Sequence, residues 1–228
     1  MLNYAIILAS GSGNRFGGET PKQFLKIQEK TILEHTVEAF ESNKKIDRII
    51  VVTNPEFITQ TQNLLEKYSK IYKIITGGAT RKDSSFNGVN SIKDSEANVL
   101  IHDCARPFIK GSIITNCIEA LETNIAVAVA IPSTDTVIEV QNEKIKSIPK
   151  RENMMCIQTP QCFKLSLIKK AHDLAKNNTN FTDDCGLVIN QNLADIKILE
   201  GDVENIKITY RSDIEKATQI LNKRLEQC

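Results

Sequence analysis

The stretch from Ile6 to Gln23 reads I-I-L-A-S-G-S-G-N-R-F-G-G-E-T-P-K-Q, a strand that breaks into a glycine-rich loop. An apolar run of strand character, Tyr4 to Leu8, breaks into a glycine-rich loop that carries Arg15, and Pro21-Lys22-Gln23 follows. Gly11, Gly13, Gly17 and Gly18 let backbone N–H groups approach a ligand closely, because no Cβ stands in the way. Successive N–H groups in such a loop form an anion-binding concavity. Arg15 and Lys22 add positive charge to it. Loop and cations together suit a polyphosphate held at the carboxyl end of a strand, where open α/β sheets present their ligands.

Spacing removes two familiar explanations. A P-loop needs G-x-x-x-x-G-K-[ST], and neither Gly11 nor Gly13 is followed five residues later by Gly-Lys. The dinucleotide fingerprint G-x-G-x-x-G fits Gly11 and Gly13 but places Phe16 at the third glycine, the one that permits close helix–strand packing. No acidic residue ends the second strand to grip a ribose, since Asn54-Pro55 follows Ile49 to Thr53. An NAD-dependent oxidoreductase is therefore disfavoured.

Outward from this loop, strand and helix signals alternate, which implies a mostly parallel sheet flanked by helices. Strands are expected at Tyr4–Leu8, Arg48–Thr53, Tyr72–Ile75, Asn98–His102 and Ala126–Ile131. Helices are expected at Thr31–Phe40, from about Pro55 to Tyr68, from about Arg81 to Ile92, and at Ile113–Thr123. Thr136–Val140 and Lys144–Ile148 then alternate around Gln141-Asn142-Glu143, a hairpin signal without a sheet face to join. A helix at Leu165–Ala175, strands at Ile196–Leu199 and Asn205–Thr209, and an amphipathic helix from Ser212 complete the reading. No linker or repeat divides the chain, so residues 1–228 read as one domain.

The 29 Lys+Arg against 28 Asp+Glu give a net charge of +1, which argues against a dedicated nucleic-acid binder. No apolar stretch is long enough to span a bilayer, and the amino terminus lacks a basic leader, so a cytoplasmic protein is expected. Six cysteines and three histidines form no C-x-x-C and no cluster, so neither a zinc site nor a disulfide framework is expected.

Two further segments carry chemistry. Ile101 to Phe108 reads I-H-D-C-A-R-P-F: a strand ends in Asp103, well placed for a hard cation shared with phosphate oxygens. Arg106 could fork onto a phosphate or pair with Asp103 to shape a turn. Cys104 has no evident His–carboxylate partner and reads as inert. Gly77 to Ser84 reads G-G-A-T-R-K-D-S, a glycine turn into a helix that Thr80 can cap.

The pattern L-A-S-G-S-G-N-R-F-G with P-K-Q, the H-D-C-A-R-P segment, the G-G-A-T-R-K-D-S segment, Thr159-Pro160-Gln161, and Glu204-Asn205-Ile206-Lys207-Ile208-Thr209 occur in one order. In that order they resemble the polyol-phosphate cytidylyltransferases, which act on 2-C-methyl-D-erythritol 4-phosphate or D-ribitol 5-phosphate. Cys104 departs from the usual alanine or serine, a small change in volume. The resemblance implies a Rossmann-like nucleotidyltransferase fold and CTP-dependent transfer with release of pyrophosphate. It implies catalytic roles for Arg15, Lys22, Arg151 and Lys207, and CTP binding by Ala9, Ser10, Gly11, Gly13, Gly78, Ala79, Ser84, Asp103 and Ala105. Arg106, Thr136, Arg151, Thr159 and Thr182 are implied on the acceptor side, with Mg²⁺ at Asp103. The hairpin at about 134–152 is implied as an arm exchanged across a homodimer. The acceptor stays open: Val203 to Lys207 and Ala105 to Pro107 resemble the methylerythritol enzymes, Ile148 to Arg151 and Thr182 to Gly186 the ribitol ones. A nucleotide-binding regulator without turnover is the alternative from another class.

Overall fold

The computed structural model of the chain describes residues 1–11, 16, 20–175 and 181–226. Gly13, Arg15, Gly17 and Gly18 lie outside them. In chain order the elements are β1 (Leu2–Ala9), β2 (Lys26–Ile27), β3 (Lys30–Thr31), α1 (Ile32–Glu41), β4 (Arg48–Thr53), α2 (Ile58–Leu65), β5 (Ile71–Thr76), α3 (Arg81–Asn90) and β6 (Ala97–Asp103). There follow α4 (Gly111–Ala120), β7 (Ala126–Pro132), β8 (Glu139–Gln141), β9 (Lys144–Ser147), β10 (Met155–Lys164), α5 (Leu165–Leu174), α6 (Asp184–Ile189), β11 (Lys197–Glu200) and α7 (Asp213–Glu226).

The continuous apolar run of β1 reflects burial on both faces, as a sheet covered by helices on each side requires. Ala5, Ile7 and Ala9 join α1, α4 and α7 in one core layer. Tyr4, Ile6 and Leu8 join α3, α5 and α6 in the other. The strand order is β11-β7-β10-β6-β1-β4-β5, parallel except for β10, which runs antiparallel to both β6 and β7. Winding runs from β1 through β4 to β5, then resumes on the other side of β1 with β6. The register pairs Leu8 with Asp103 and Ala9 with Thr53, so the carboxyl ends of β1, β4 and β6 finish together at this switch point.

Several expectations are corrected. No strand was expected at β10, whose Gln158-Thr159-Pro160-Gln161 centre is polar and carries a proline, a residue rare inside a ladder. The ladder accommodates it at a register shift between Ile157 and Gln161. The helix α6 was also missed, being six residues long with Gly186 inside it. Asn205–Thr209 is not a strand: Ile208 is buried and its N–H donates to the Ala105 carbonyl at 2.8 Å, but no strand of the described residues pairs with it. The hairpin is shorter than expected and forms its own two-stranded sheet, β8–β9, outside the main sheet. The second helix begins later, after a 3₁₀ turn at Pro55–Phe57 started by Asn54.

Candidate active site

Two cavities open at the carboxyl edge of the sheet. The first encloses about 630 Å³ and is lined by Ala9, Ser10, Gly11, Lys22, Gly78, Ala79, Ser84, Asp103, Ala105 and Lys207, all expected from the sequence. Phe16, Gln23, Asn54, Thr80, Arg81 and Thr209 line it as well and were not anticipated there. The second, about 720 Å³, includes Arg106, Ser133, Cys156, Glu200, Asn205, Lys207 and Lys216. Lys207 borders both.

The turn after β5 shapes one wall of the first cavity. Thr80 caps α3 by accepting from the Asp83 N–H at 3.1 Å, and the Asp83 carboxylate accepts from the Thr80 N–H at 3.1 Å. The Ser84 hydroxyl accepts from the Gly78 N–H at 3.1 Å and lies 2.7 Å from the Ser10 hydroxyl, tying this turn to the loop after β1. A Cβ on Gly77 would stand 2.5 Å from Ser10 Cβ, and one on Gly78 2.3 Å from Asp83 Cβ. Close approach is what these glycines supply.

Asp103 is the electrostatic centre. Its Oδ1 accepts from Arg81 Nε at 3.1 Å and its Oδ2 from Lys207 Nζ at 2.6 Å. Burial would raise its pKa, but the charges of Arg81 and Lys207 outweigh burial and hold it well below the usual carboxylate range. Arg106 does not pair with Asp103. Its Nη1 donates to the Asn205 carbonyl at 2.7 Å, and its buried Nε finds no hydrogen-bond partner among the described residues. Burial lowers its pKa. Gln23 Nε2 and Asn205 Oδ1 are likewise buried without a partner among the described residues. Orphaned buried donors and acceptors cost free energy unless something satisfies them, and here all three side chains border a cavity. Lys22 Nζ donates to the Ile208 carbonyl at 3.2 Å.

Among the described residues, Asp103 is the sole carboxylate bordering the first cavity. Among the described residues no group of three or more His, Cys, Asp or Glu is arranged to hold a metal ion. That donor set fits a Mg²⁺ that arrives with phosphate oxygens and water and takes one carboxylate, as Mg²⁺ commonly does. Burial pushes the Cys104 thiol up to about 12, in keeping with an inert residue.

Four expected acceptor-side residues are not displayed in either cavity. Thr159 is buried, accepts from the Asp103 N–H at 3.1 Å and lies 3.0 Å from His102 Nδ1, so its hydroxyl braces the strand end. Thr136 accepts from Arg151 Nη2 at 2.8 Å, both on the exposed hairpin segment. Thr182 is exposed just ahead of α6. Arg81 is the chief omission from the sequence reading, and a signal existed: a cation at the first turn of a helix opposes the helix dipole and so implies anionic partners.

A profile described as 2-C-methyl-D-erythritol 4-phosphate cytidylyltransferase matches residues 3–223. The chain is 40% identical over 218 residues to the protein of that name from Thermosipho melanesiensis, covering 93% of this chain and 95% of the relative. It is 39% identical over 230 residues to the bifunctional ribulose 5-phosphate reductase/CDP-ribitol pyrophosphorylase of Haemophilus influenzae, covering 97% of this chain but 48% of that one. Among solved structures, 4-diphosphocytidyl-2C-methyl-D-erythritol synthase from Anaerococcus prevotii superposes with a TM-score of 0.87 at 31% identity, over 97% of this chain and 98% of the other. With its switch-point cavity and its match over nearly the whole length, the chain belongs to the 2-C-methyl-D-erythritol 4-phosphate cytidylyltransferase family of nucleotidyltransferases.

Proposed function

We propose that this chain transfers the cytidylyl group of CTP to 2-C-methyl-D-erythritol 4-phosphate and releases pyrophosphate. The observation that carries the reading is Lys207: it borders both cavities and holds Asp103 in the first of them. The first cavity receives CTP, its base against Gly78, Ala79 and Ser84 and its phosphates against the loop after β1. The second receives the acceptor beside Arg106.

An acceptor phosphate oxygen attacks the α-phosphorus in line. It is already ionised, so no general base is needed, and the protein's work is positioning and charge neutralisation. Lys22 and Lys207, with Arg15, stabilise the negative charge that crowds around phosphorus. A Mg²⁺ at Asp103 would supply further neutralisation of the phosphate oxygens. We also propose a cytoplasmic homodimer of one nucleotidyltransferase domain, in which Thr136 and Arg151 of each arm complete the partner's acceptor site. Val140, Ile145 and Ile148 on the arm are exposed apolar side chains, which suits burial against a second copy.

The likeness to the Haemophilus influenzae enzyme supports a second reading, D-ribitol 5-phosphate as acceptor. Pyrophosphate release measured with CTP and each purified acceptor separates the two. Turnover with 2-C-methyl-D-erythritol 4-phosphate is expected. Turnover with ribitol phosphate alone would move the assignment to the second reading, and CTP binding without release on either would mark a silent regulator.

A further inference from the structure

Asp184 is fully buried in the first turn of α6 and borders neither cavity, yet it reaches the nucleotide site through one side chain. Its Oδ2 accepts from Arg81 Nη1 at 2.7 Å, and its Oδ1 accepts from the Ser85 hydroxyl. His172 Nε2 lies 3.3 Å from that hydroxyl. The backbone is pinned too. Gln161 Oε1 accepts from the N–H groups of Asp184 and Cys185 at 2.9 and 3.0 Å, and Gln161 Nε2 donates to Asp183 Oδ2 at 2.9 Å. This carboxylate cannot swing without breaking several contacts.

Arg81 needs such a tether. It sits at the first position of α3, where the helix dipole disfavours a cation. Burial disfavours its charge as well, but Asp184 and Asp103 outweigh burial and hold its pKa above the ordinary value. With Asp184 on Nη1, the guanidinium meets Asp103 through Nε alone. Deprived of Asp184, it would turn its fork onto Asp103, because a bidentate pair is the preferred geometry of arginine with a single carboxylate. Both oxygens of Asp103 would then be engaged by Arg81, in competition with Lys207.

We propose that Asp184 is a positioning residue for nucleotidyl transfer: it restricts Arg81 to a one-point contact with Asp103 and so leaves Asp103 Oδ2 to orient Lys207 where the two cavities meet. This rests on the cytidylyltransferase reading. It also joins α6, directly after the Thr182 segment, to the helix that begins beside the nucleotide cavity.

The test is Asp184→Asn. The amide oxygen can still accept from Arg81 while the Ser85 hydroxyl turns to His172, so the shape is kept and the charge is lost. In variants that melt cooperatively, kcat is expected to fall about 10- to 100-fold, the range for losing a charge-assisted contact. A merely structural role would lower the melting temperature and leave kcat alone. The same substitution made in a Lys207→Ala background should then cost less than about threefold, since the effect runs through Lys207. Full additivity in the two backgrounds, or unchanged kcat in the single variant, would overturn the proposal. If Asp184→Asn does not fold, Ser85→Ala decides: it removes the hydroxyl that anchors Oδ1, so the carboxylate can rotate and its grip on Arg81 loosens, and kcat should fall about 3- to 10-fold, with unchanged kcat overturning the proposal. Should the wild-type chain release no pyrophosphate with any acceptor, the cytidylyltransferase reading fails and this inference with it. Wild-type turnover alongside an unaffected variant sinks the positioning role alone.

Discussion

His102 holds the end of β6 through one tautomer. Its Nε2 lies 3.0 Å from the Arg106 carbonyl, which can only accept, so Nε2 carries the proton. Nδ1 then accepts from the Thr159 hydroxyl, whose oxygen accepts from the Asp103 N–H. One neutral imidazole thus spaces Asp103, in the first cavity, from Arg106, in the second. Burial lowers its pKa from 6.5 to about 4. Between those values the unfolded chain binds a proton that the folded chain does not. The stability from a neutral His102 is therefore complete above pH 6.5 and lost as pH falls toward about 4, by on the order of 3 kcal/mol. His102→Asn should flatten that fall in urea unfolding across this window, and parallel pH profiles for wild type and variant would refute the account. At Lys22 the expectation is kinetic. Lys22→Ala should still bind CTP in calorimetry yet turn over more slowly by about 2 to 4 kcal/mol of barrier, the cost of losing one stabilising donor. Near wild-type pyrophosphate release would remove Lys22 from the chemistry.

Among the elements, the turn from β5 into α3 is the least tolerant of change. Gly78→Ala sets a Cβ against Asp83 Cβ at 2.3 Å, so the capping pair of Thr80 and Asp83 must move. CTP affinity should fall at least about tenfold, with destabilisation of roughly 1 to 3 kcal/mol from the clash and the disturbed cap. Unchanged calorimetric affinity would show that the turn does not contact the nucleotide. This element was legible in the sequence because glycines and a Thr–Asp cap act locally. β10 and α6 were not, for the opposite reason. Pro160 is compatible with the strand because the ladder with β7 shifts register across it and the pairing with β6 begins only at Gln161, and α6 is too short to announce a period. The Asn205–Thr209 segment shows the converse error. Its alternation is that of a strand, but Ile208 packs into the core without joining a sheet among the described residues.

At the scale of the whole molecule, the β8–β9 arm stands apart from the main sheet and exposes Val137, Ile138, Val140, Ile145 and Ile148. If that surface is covered by a second copy, Val140→Asp with Ile145→Asp should shift sedimentation from dimer to monomer. Turnover should fall with it, because Thr136 and Arg151 would lose the site they serve. A variant that stays dimeric and active would rule out the exchanged arm. From the sequence alone came the α/β alternation and a glycine-rich loop at the end of β1 whose spacing excludes two common phosphate-binding loops, while most of the residues that line the first cavity were expected from the resemblance of its ordered motifs to a family. The alternation and the loop are consequences of periodicity and local conformation, which a linear chain carries in full. The tertiary structure alone decided that Asp103 pairs with Arg81 and Lys207 rather than Arg106. It alone decided that Thr159 braces a strand end and that Asp184, from a helix the sequence concealed, grips Arg81. Each of these is a meeting of charges or hydroxyls from segments some 20 to 100 residues apart. Such partners are chosen by sheet order and burial, which no local pattern encodes.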